Sequence, residues 1–214
     1  MLPLVIQQLG LRKYTPVWES MRTFTRQRHA DSADEFWLVE HPPVYTLGLN
    51  GDPTHVLDAG DIPVIKVDRG GQVTYHGPGQ VIIYLLIDLR RLGLGVRGLV
   101  TNMEQALIGF LSHYGVHAEA DPHAPGVYVA GRKIASLGLR VSRGCSYHGI
   151  AFNLNMDLSP FKHINPCGFP GLPVTRLTDL GIKLDWDYAA NQLVTYLQQQ
   201  LGYTNPIKIV DQRK

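Results

Sequence analysis

The stretch of residues 126–154 constrains the fold most. It holds three β-rich runs, at 126–129, 133–141 and 146–154, joined by Ala130-Gly131-Arg132 and Ser142-Arg143-Gly144. Short glycine-bearing connections between such runs predict hairpins, and strands joined by hairpins pair antiparallel. A fully parallel, doubly wound sheet needs a crossover between successive strands, so this stretch argues against one. Further extended runs are expected at 4–9, 35–40, 44–47, 64–68 and 80–87, the last strongly apolar. Helices are expected at 14–28, 99–114 and 188–201. The middle one is the clearest, with Leu99, Met103, Ala106, Leu107, Phe110, Leu111 and Tyr114 in one apolar stripe. This mixed order predicts an α+β fold: a single domain over residues 1–214 with a mixed β-sheet and flanking helices packed mainly on one side.

With 214 residues, 44% of them hydrophobic and 18% charged, the chain can bury a core without disulfides or structural metal. Its formal charge of +2 does not mark a nucleic-acid binder. The cations are uneven, however. Arg12, Lys13, Arg22, Arg26 and Arg28 cluster early, and Arg140 and Arg143 form a second group. Such groups either steer an acidic partner or form an ordinary solvated surface. Two cysteines, Cys145 and Cys167, make no disulfide framework. Residues 1–10 lack a secretory leader pattern, and no apolar run has membrane-spanning length. The expectation is a cytoplasmic protein with reduced thiols and no membrane association.

Residues 69–84 read Arg69-Gly70-Gly71-Gln72-Val73-Thr74-Tyr75-His76-Gly77-Pro78-Gly79-Gln80, then Val81-Ile82-Ile83-Tyr84. Glycines permit close backbone approach, and the polar side chains surround that pliable backbone with donors and acceptors. The composition suits a structural turn and a ligand loop equally. It is neither a Walker phosphate loop, since no Gly-Lys-Ser/Thr follows, nor a dinucleotide fingerprint, since no helix follows.

The pattern R-G-G-x-x-T-Y-H-x-x-G-Q-x-x-x-Y over residues 69–84 resembles the signature of the lipoyl(octanoyl) transferase family. Three other segments agree in the same order: Glu40-His41-Pro42-Pro43-Val44-Tyr45-Thr46-Leu47-Gly48, Gly131-Arg132-Lys133-Ile134-Ala135-Ser136-Leu137-Gly138 and Asn165-Pro166-Cys167-Gly168. The resemblance spans roughly residues 35–180 and implies the biotin/lipoate protein ligase-like fold.

Alone, Cys167 reads as an inert thiol and Lys133 as a solvated hairpin-end lysine. An unperturbed thiol is only about 3% thiolate at pH 7, so a nucleophilic cysteine needs activation. The resemblance assigns both residues a role: Cys167 takes up the acyl group as a thioester, and Lys133 tunes it and acts as acid/base. The implied reaction moves octanoyl from acyl carrier protein to Cys167. It then passes to a specific lysine of a lipoyl domain, in 2-oxoacid dehydrogenase complexes or the glycine cleavage H protein. The implied substrate contacts are Arg69, Gly70, Gly71, Gln72, Val73, Thr74, Tyr75 and His76, with Ser136, Leu137, Gly138, Gly149, Ile150 and Ala151. His76 is read as a substrate-binding residue and not as a proton donor. No nucleotide, metal or redox cofactor is implied.

Three alternatives stand beside this reading. Cys145-x-x-His148 followed by His163-x-x-x-Cys167 has the residue types of a structural zinc site, but a predicted strand separates the pairs. An ATP-dependent lipoate or biotin ligase shares the implied fold but needs no cysteine. A non-catalytic module binding acyl carrier or lipoyl domain would bind without turnover.

Overall fold

The central strand, β6 (Gln80–Leu86), is buried along its whole length, because apolar residues occupy both of its faces. Val81, Ile83 and Leu85 point into one core and Ile82, Tyr84 and Leu86 into another, as the two-residue repeat of a strand requires. The structure is a computed structural model and describes residues 4–204 and 208–213. Around β6 are arranged β1 (Leu4–Leu11), α1 (Tyr14–Gln27), β2 (Asp34–Glu40), β3 (Val44–Leu47), β4 (Val64–Lys66) and β5 (Val73–His76). After β6 come α2 (Val96–His113), β7 (Glu119–Ala120), β8 (Gly126–Val129), β9 (Arg132–Ser142), β10 (Cys145–Asn153), α3 (Trp186–Leu201) and β11 (Lys208–Asp211).

An eight-stranded sheet runs in the order β11-β1-β2-β6-β10-β9-β8-β7, and a smaller sheet runs β4-β3-β5. The large sheet is mixed: β1 pairs parallel with β2 and β11, whereas β2, β6, β10, β9, β8 and β7 form an antiparallel succession. The parallel β1/β2 pair requires a crossover, which α1 supplies. This is the α+β fold expected from sequence. The helices do not share one face, however. α2 and α3 cover one face through Leu99, Met103, Phe110, Leu193 and Leu197. α1 covers the other through Tyr14, Val17 and Met21 against Ile82, Tyr84 and Tyr147. Having apolar residues on both faces of β6 forces this two-sided cover.

The segment that reads as a pliable loop, 69–80, contains β5. The run Val73-Thr74-Tyr75-His76 is β-branched and aromatic and pairs antiparallel with β3, while the glycines bound it on both sides.

The two hairpins around β9 are tighter than the sequence suggests. Val129 pairs with Arg132 and Ser142 with Cys145, leaving two-residue loops. Ala130 (φ 48°) and Gly131 (φ 73°), like Arg143 (φ 54°) and Gly144 (φ 79°), are all left-handed, the type I′ pattern. Alanine is disfavoured in that conformation, which asparagine tolerates. Ala130→Asn is therefore expected to stabilise the fold by about 0.5–1 kcal/mol, read as a higher urea midpoint at unchanged m-value.

Candidate active site

Lys133 is the second residue of β9 and is almost fully buried, at 2% exposure. Its side chain runs beneath Gly126, where a Cβ would stand 2.5 Å from Lys133 Cε, so a glycine (φ 150°) is required there. The nitrogen Nζ donates to Pro125 O at 3.0 Å and to Cys167 Sγ at 2.9 Å, and stands 5.2 Å from the centre of the Tyr128 ring. No carboxylate accepts from it among the described residues. Its main chain is clamped as well: Lys133 N donates to Pro173 O (2.8 Å) and Thr175 N to Lys133 O (2.9 Å). The chain leaving Cys167 thus returns to pair beside Lys133, which brings together two residues 34 apart in sequence.

Cys167 lies in a single 3-10 turn, Pro166–Gly168, and is itself left-handed (φ 57°, ψ 16°). Pro166 starts the turn, and Gly168 N–H closes it onto Asn165 O at 2.9 Å. The turn rests on the segment before β5: a Cβ on Gly168 would be 3.0 Å from Gln72 Cγ. The thiol is half-buried, whereas Cys145 is buried.

One narrow slot between α1, β5 and the β9–β10 pair is lined by Arg69, Gly71, Gln72, Val73, Thr74, His76, Ser136, Leu137, Gly138, Gly149, Ile150, Ala151 and Cys167. Gly138 faces Gly149 in register; the Arg69 side chain packs over Gly138, where a Cβ would stand 3.1 Å from its Cδ, and Gly149 lets the backbone lie against Ile83 O, 2.2 Å from where its Cβ would be. Three residues singled out in the sequence lie off the slot. Gly70 donates to Leu139 O at 2.9 Å. Tyr75 turns away, its ring 5.5 Å from Tyr45 and 5.6 Å from Phe161. Lys133 meets the slot through Cys167.

The polar side chains of the slot form a directed hydrogen-bond chain. Asn153 Nδ2 donates to Thr175 O (2.9 Å), so its Oδ1 accepts from Gln80 Nε2 (3.0 Å). Gln80 Oε1 then accepts from His76 Nδ1 (2.8 Å), which leaves His76 Nε2 to accept from the Thr46 hydroxyl (3.3 Å). That hydroxyl oxygen accepts from Arg69 Nη2 at 2.9 Å, and the same nitrogen donates to Thr46 O at 2.6 Å. The network assigns the histidine tautomer. It also fixes Arg69, a buried guanidinium with no carboxylate partner among the described residues, against the slot.

A second anchor lies opposite. Asp68 accepts from Trp18 Nε1 (2.8 Å), the Tyr147 hydroxyl (2.5 Å) and His148 Nε2 (3.2 Å). Burial alone would push this carboxyl up; the hydrogen bonds outweigh it and hold the carboxyl well below the usual range. His148 lines the slot with a left-handed backbone (φ 62°) inside β10, a rare state for a non-glycine residue.

The family model described as "Lipoyl protein ligase A/B catalytic domain" matches residues 13–198. The chain belongs to this family. It is 60% identical over 198 residues to a protein of Methylococcus capsulatus named octanoyltransferase, covering 92% of this chain and 96% of that protein. Its fold is that of a lipoate protein ligase from Thermoplasma acidophilum, solved in a study of that ligase and its E2 lipoyl domain (TM-score 0.77, 14% identity, 98% and 88% of the two chains). A biotin protein ligase from Aquifex aeolicus is a more distant structural match (TM-score 0.57, 10% identity, 94% and 70%).

Sequence reasoning assigned no role to Thr46, Asp68, Tyr14 or Tyr84, and considered His148 only as a zinc ligand. The signal was present for several. Asp68 and His148 immediately precede the Arg69 and Gly149 segments, and Thr46 lies inside the 40–48 segment. Cys145 and His163 do not join Cys167: Cys145 sits beside the Arg143 turn, and exposed His163 is 3.8 Å from Asp58. Among the described residues no three His, Cys, Asp or Glu side chains converge as a metal site would require.

Burial lowers His41 to about 4 and His76 to about 3, and also lowers His148. Each takes up a proton more readily in the unfolded chain, whose histidines titrate near 6.5. Stability is therefore full above that pH and falls as pH drops toward the folded values. The expected slope is about 1.4 kcal/mol per pH unit for each buried histidine. Urea unfolding between pH 7 and 4.5 measures it, and His76→Asn should give a shallower slope.

Proposed function

We propose that the chain is an octanoyltransferase that carries the acyl group on Cys167, with Lys133 as its proton carrier. The observation carrying this reading is the 2.9 Å contact between Lys133 Nζ and Cys167 Sγ at the end of the slot. A nucleophile within hydrogen-bond reach of a buried base is the arrangement that covalent acyl transfer requires. The relatives named octanoyltransferase, matched over nearly their whole length, supply the acyl group.

In the first half-reaction Sγ attacks the carbonyl of an octanoyl thioester on acyl carrier protein. The Cys167 proton passes through Lys133 to the departing carrier thiol, and a new thioester forms on Cys167. One thioester replaces another, so an activated nucleophile matters more than driving force. In the second half-reaction the amine of a lipoyl-domain lysine attacks that thioester. Lys133 accepts the proton the amine sheds, the C–S bond breaks, and the proton returns to Sγ. The products are the free carrier thiol and an octanoyl amide. The slot, with Val73, Ile82, Leu137, Ile150 and Ala151 in its lining, suits an unbranched alkyl chain.

The rival reading, an ATP-dependent ligase, makes no use of the Cys167–Lys133 pair. Mixing the protein with octanoyl carrier protein should give an octanoyl adduct on Cys167 that hydroxylamine removes and Cys167→Ser abolishes. Transfer without that adduct, or ATP-dependent transfer surviving Cys167→Ser, overturns the covalent mechanism. Lys133→Ala should slow turnover by about 10²-fold or more while Cys167→Ser and Lys133→Ala both still fold cooperatively.

A further inference from the structure

The slot has a mouth and a floor. Cys167 and Gln72 are half-buried and Gly71 is exposed, whereas Tyr14, Tyr84 and His148 in the same lining are 4%, 3% and 2% exposed. Strand register orders the space between the two ends. Lys133, which holds the Cys167 sulfur, precedes Ser136 on β9. Ser136 pairs with Ala151 and Ala151 with Ile82; Gly138 pairs with Gly149 and Gly149 with Tyr84. These two rows follow the thiol in turn, about 6.5 Å apart along the strands. The row after them is filled. Arg140 pairs with Tyr147, whose hydroxyl is held on Asp68 together with His148 Nε2 and Trp18 Nε1. A chain attached to Cys167 and laid along the rows therefore ends at Tyr84 and at Tyr14, which covers this face from the first turn of α1.

Both rings are locked in place. His41 Nε2 accepts from the Tyr84 hydroxyl at 2.8 Å, and His41 Nδ1 donates to Arg12 O at 2.6 Å. The Tyr14 ring meets His41 edge-on, with centres 5.1 Å apart, and lies parallel to His76 at 5.8 Å. His76 is itself fixed by Gln80 and Thr46. A close-packed wall of this kind does not give way to extra methylenes without strain. It caps a chain; it does not adapt to one.

We infer that Tyr14 is the residue that limits acyl length, its ring being the stop against which the terminal methyl of the chain comes to rest. The inference rests on the proposed transfer reaction, in which the acyl group is carried on Cys167. Tyr14 touches none of the reacting atoms, so it acts on which chain is accepted and not on the chemistry at Sγ. Of the two floor residues it is the adjustable one. Tyr84 belongs to the central strand and its hydroxyl anchors His41, whereas Tyr14 is the first residue of a helix.

The test follows acylation of Cys167 by intact mass, using hexanoyl-, octanoyl-, decanoyl- and dodecanoyl-pantetheine, which need no carrier protein. One methylene in an apolar pocket is worth about tenfold or more in discrimination. In the unmodified protein the rate constant should fall at least tenfold from octanoyl to dodecanoyl. Tyr14→Leu, which shortens the stop, should raise the dodecanoyl-to-octanoyl ratio at least tenfold. Tyr14→Trp, which enlarges it, should raise the hexanoyl-to-octanoyl ratio at least tenfold. Alkylation of Cys167 by iodoacetamide should keep its pH profile in both variants. Urea unfolding establishes that each variant is folded, and if only one of them is, its ratio decides. A flat length profile in the unmodified protein, ratios unchanged in the variants, or equal losses at every length would overturn the inference while leaving the transfer reading intact. Absence of any Cys167 adduct with all four thioesters would overturn the transfer reading, and this inference with it.

Discussion

The site depends on the burial of the Lys133 nitrogen. A lysine nitrogen carries up to three donors, and burying it without acceptors is costly. Here Pro125 O and Cys167 Sγ meet it. That requirement reaches well beyond the two residues. Gly126 must lack a side chain so that Lys133 can lie under it. Residues 173–175 must return along the start of β9 to hold the lysine backbone. The turn at 166–168 must take a left-handed residue at Cys167 to aim the sulfur back. Each of these features is unfavourable or neutral alone; together they place one thiol against one amine.

The antiparallel half of the sheet was legible because its signals are local. Glycine-bearing turns flanked by β-branched runs mark the two hairpins, and the apolar stripe from Leu99 to Leu111 marks α2. β5 was hidden because four glycines surround a four-residue strand, and composition over the window outweighed the run Val73-Thr74-Tyr75-His76. β7, with two residues, and β11, on the edge of the sheet, carry too little pattern to announce themselves. The contact between Cys167 and Lys133 could not be read from spacing, since it depends on a long-range return of the chain. The family resemblance pointed to these two residues; the fold supplies the reason they can act on each other.

The substrate-facing residues divide by what occupies their hydrogen bonds. The resemblance implies Arg69 as a substrate contact, yet Thr46 and Gly70 take up its guanidinium from inside the fold. The same holds for His76, whose two nitrogens are committed to Gln80 and Thr46. With Arg69 and His76 satisfied from inside the fold, the slot offers a ligand few unmet polar groups, the buried Thr74 hydroxyl being one of them. This reconciles a polar motif with an alkyl substrate.

Recognition of anything charged must then come from outside the slot. The division has a kinetic consequence. Groups fixed inside set which chain fits and how the carbonyl meets Sγ, whereas exposed rim groups set how often a partner arrives in a productive orientation.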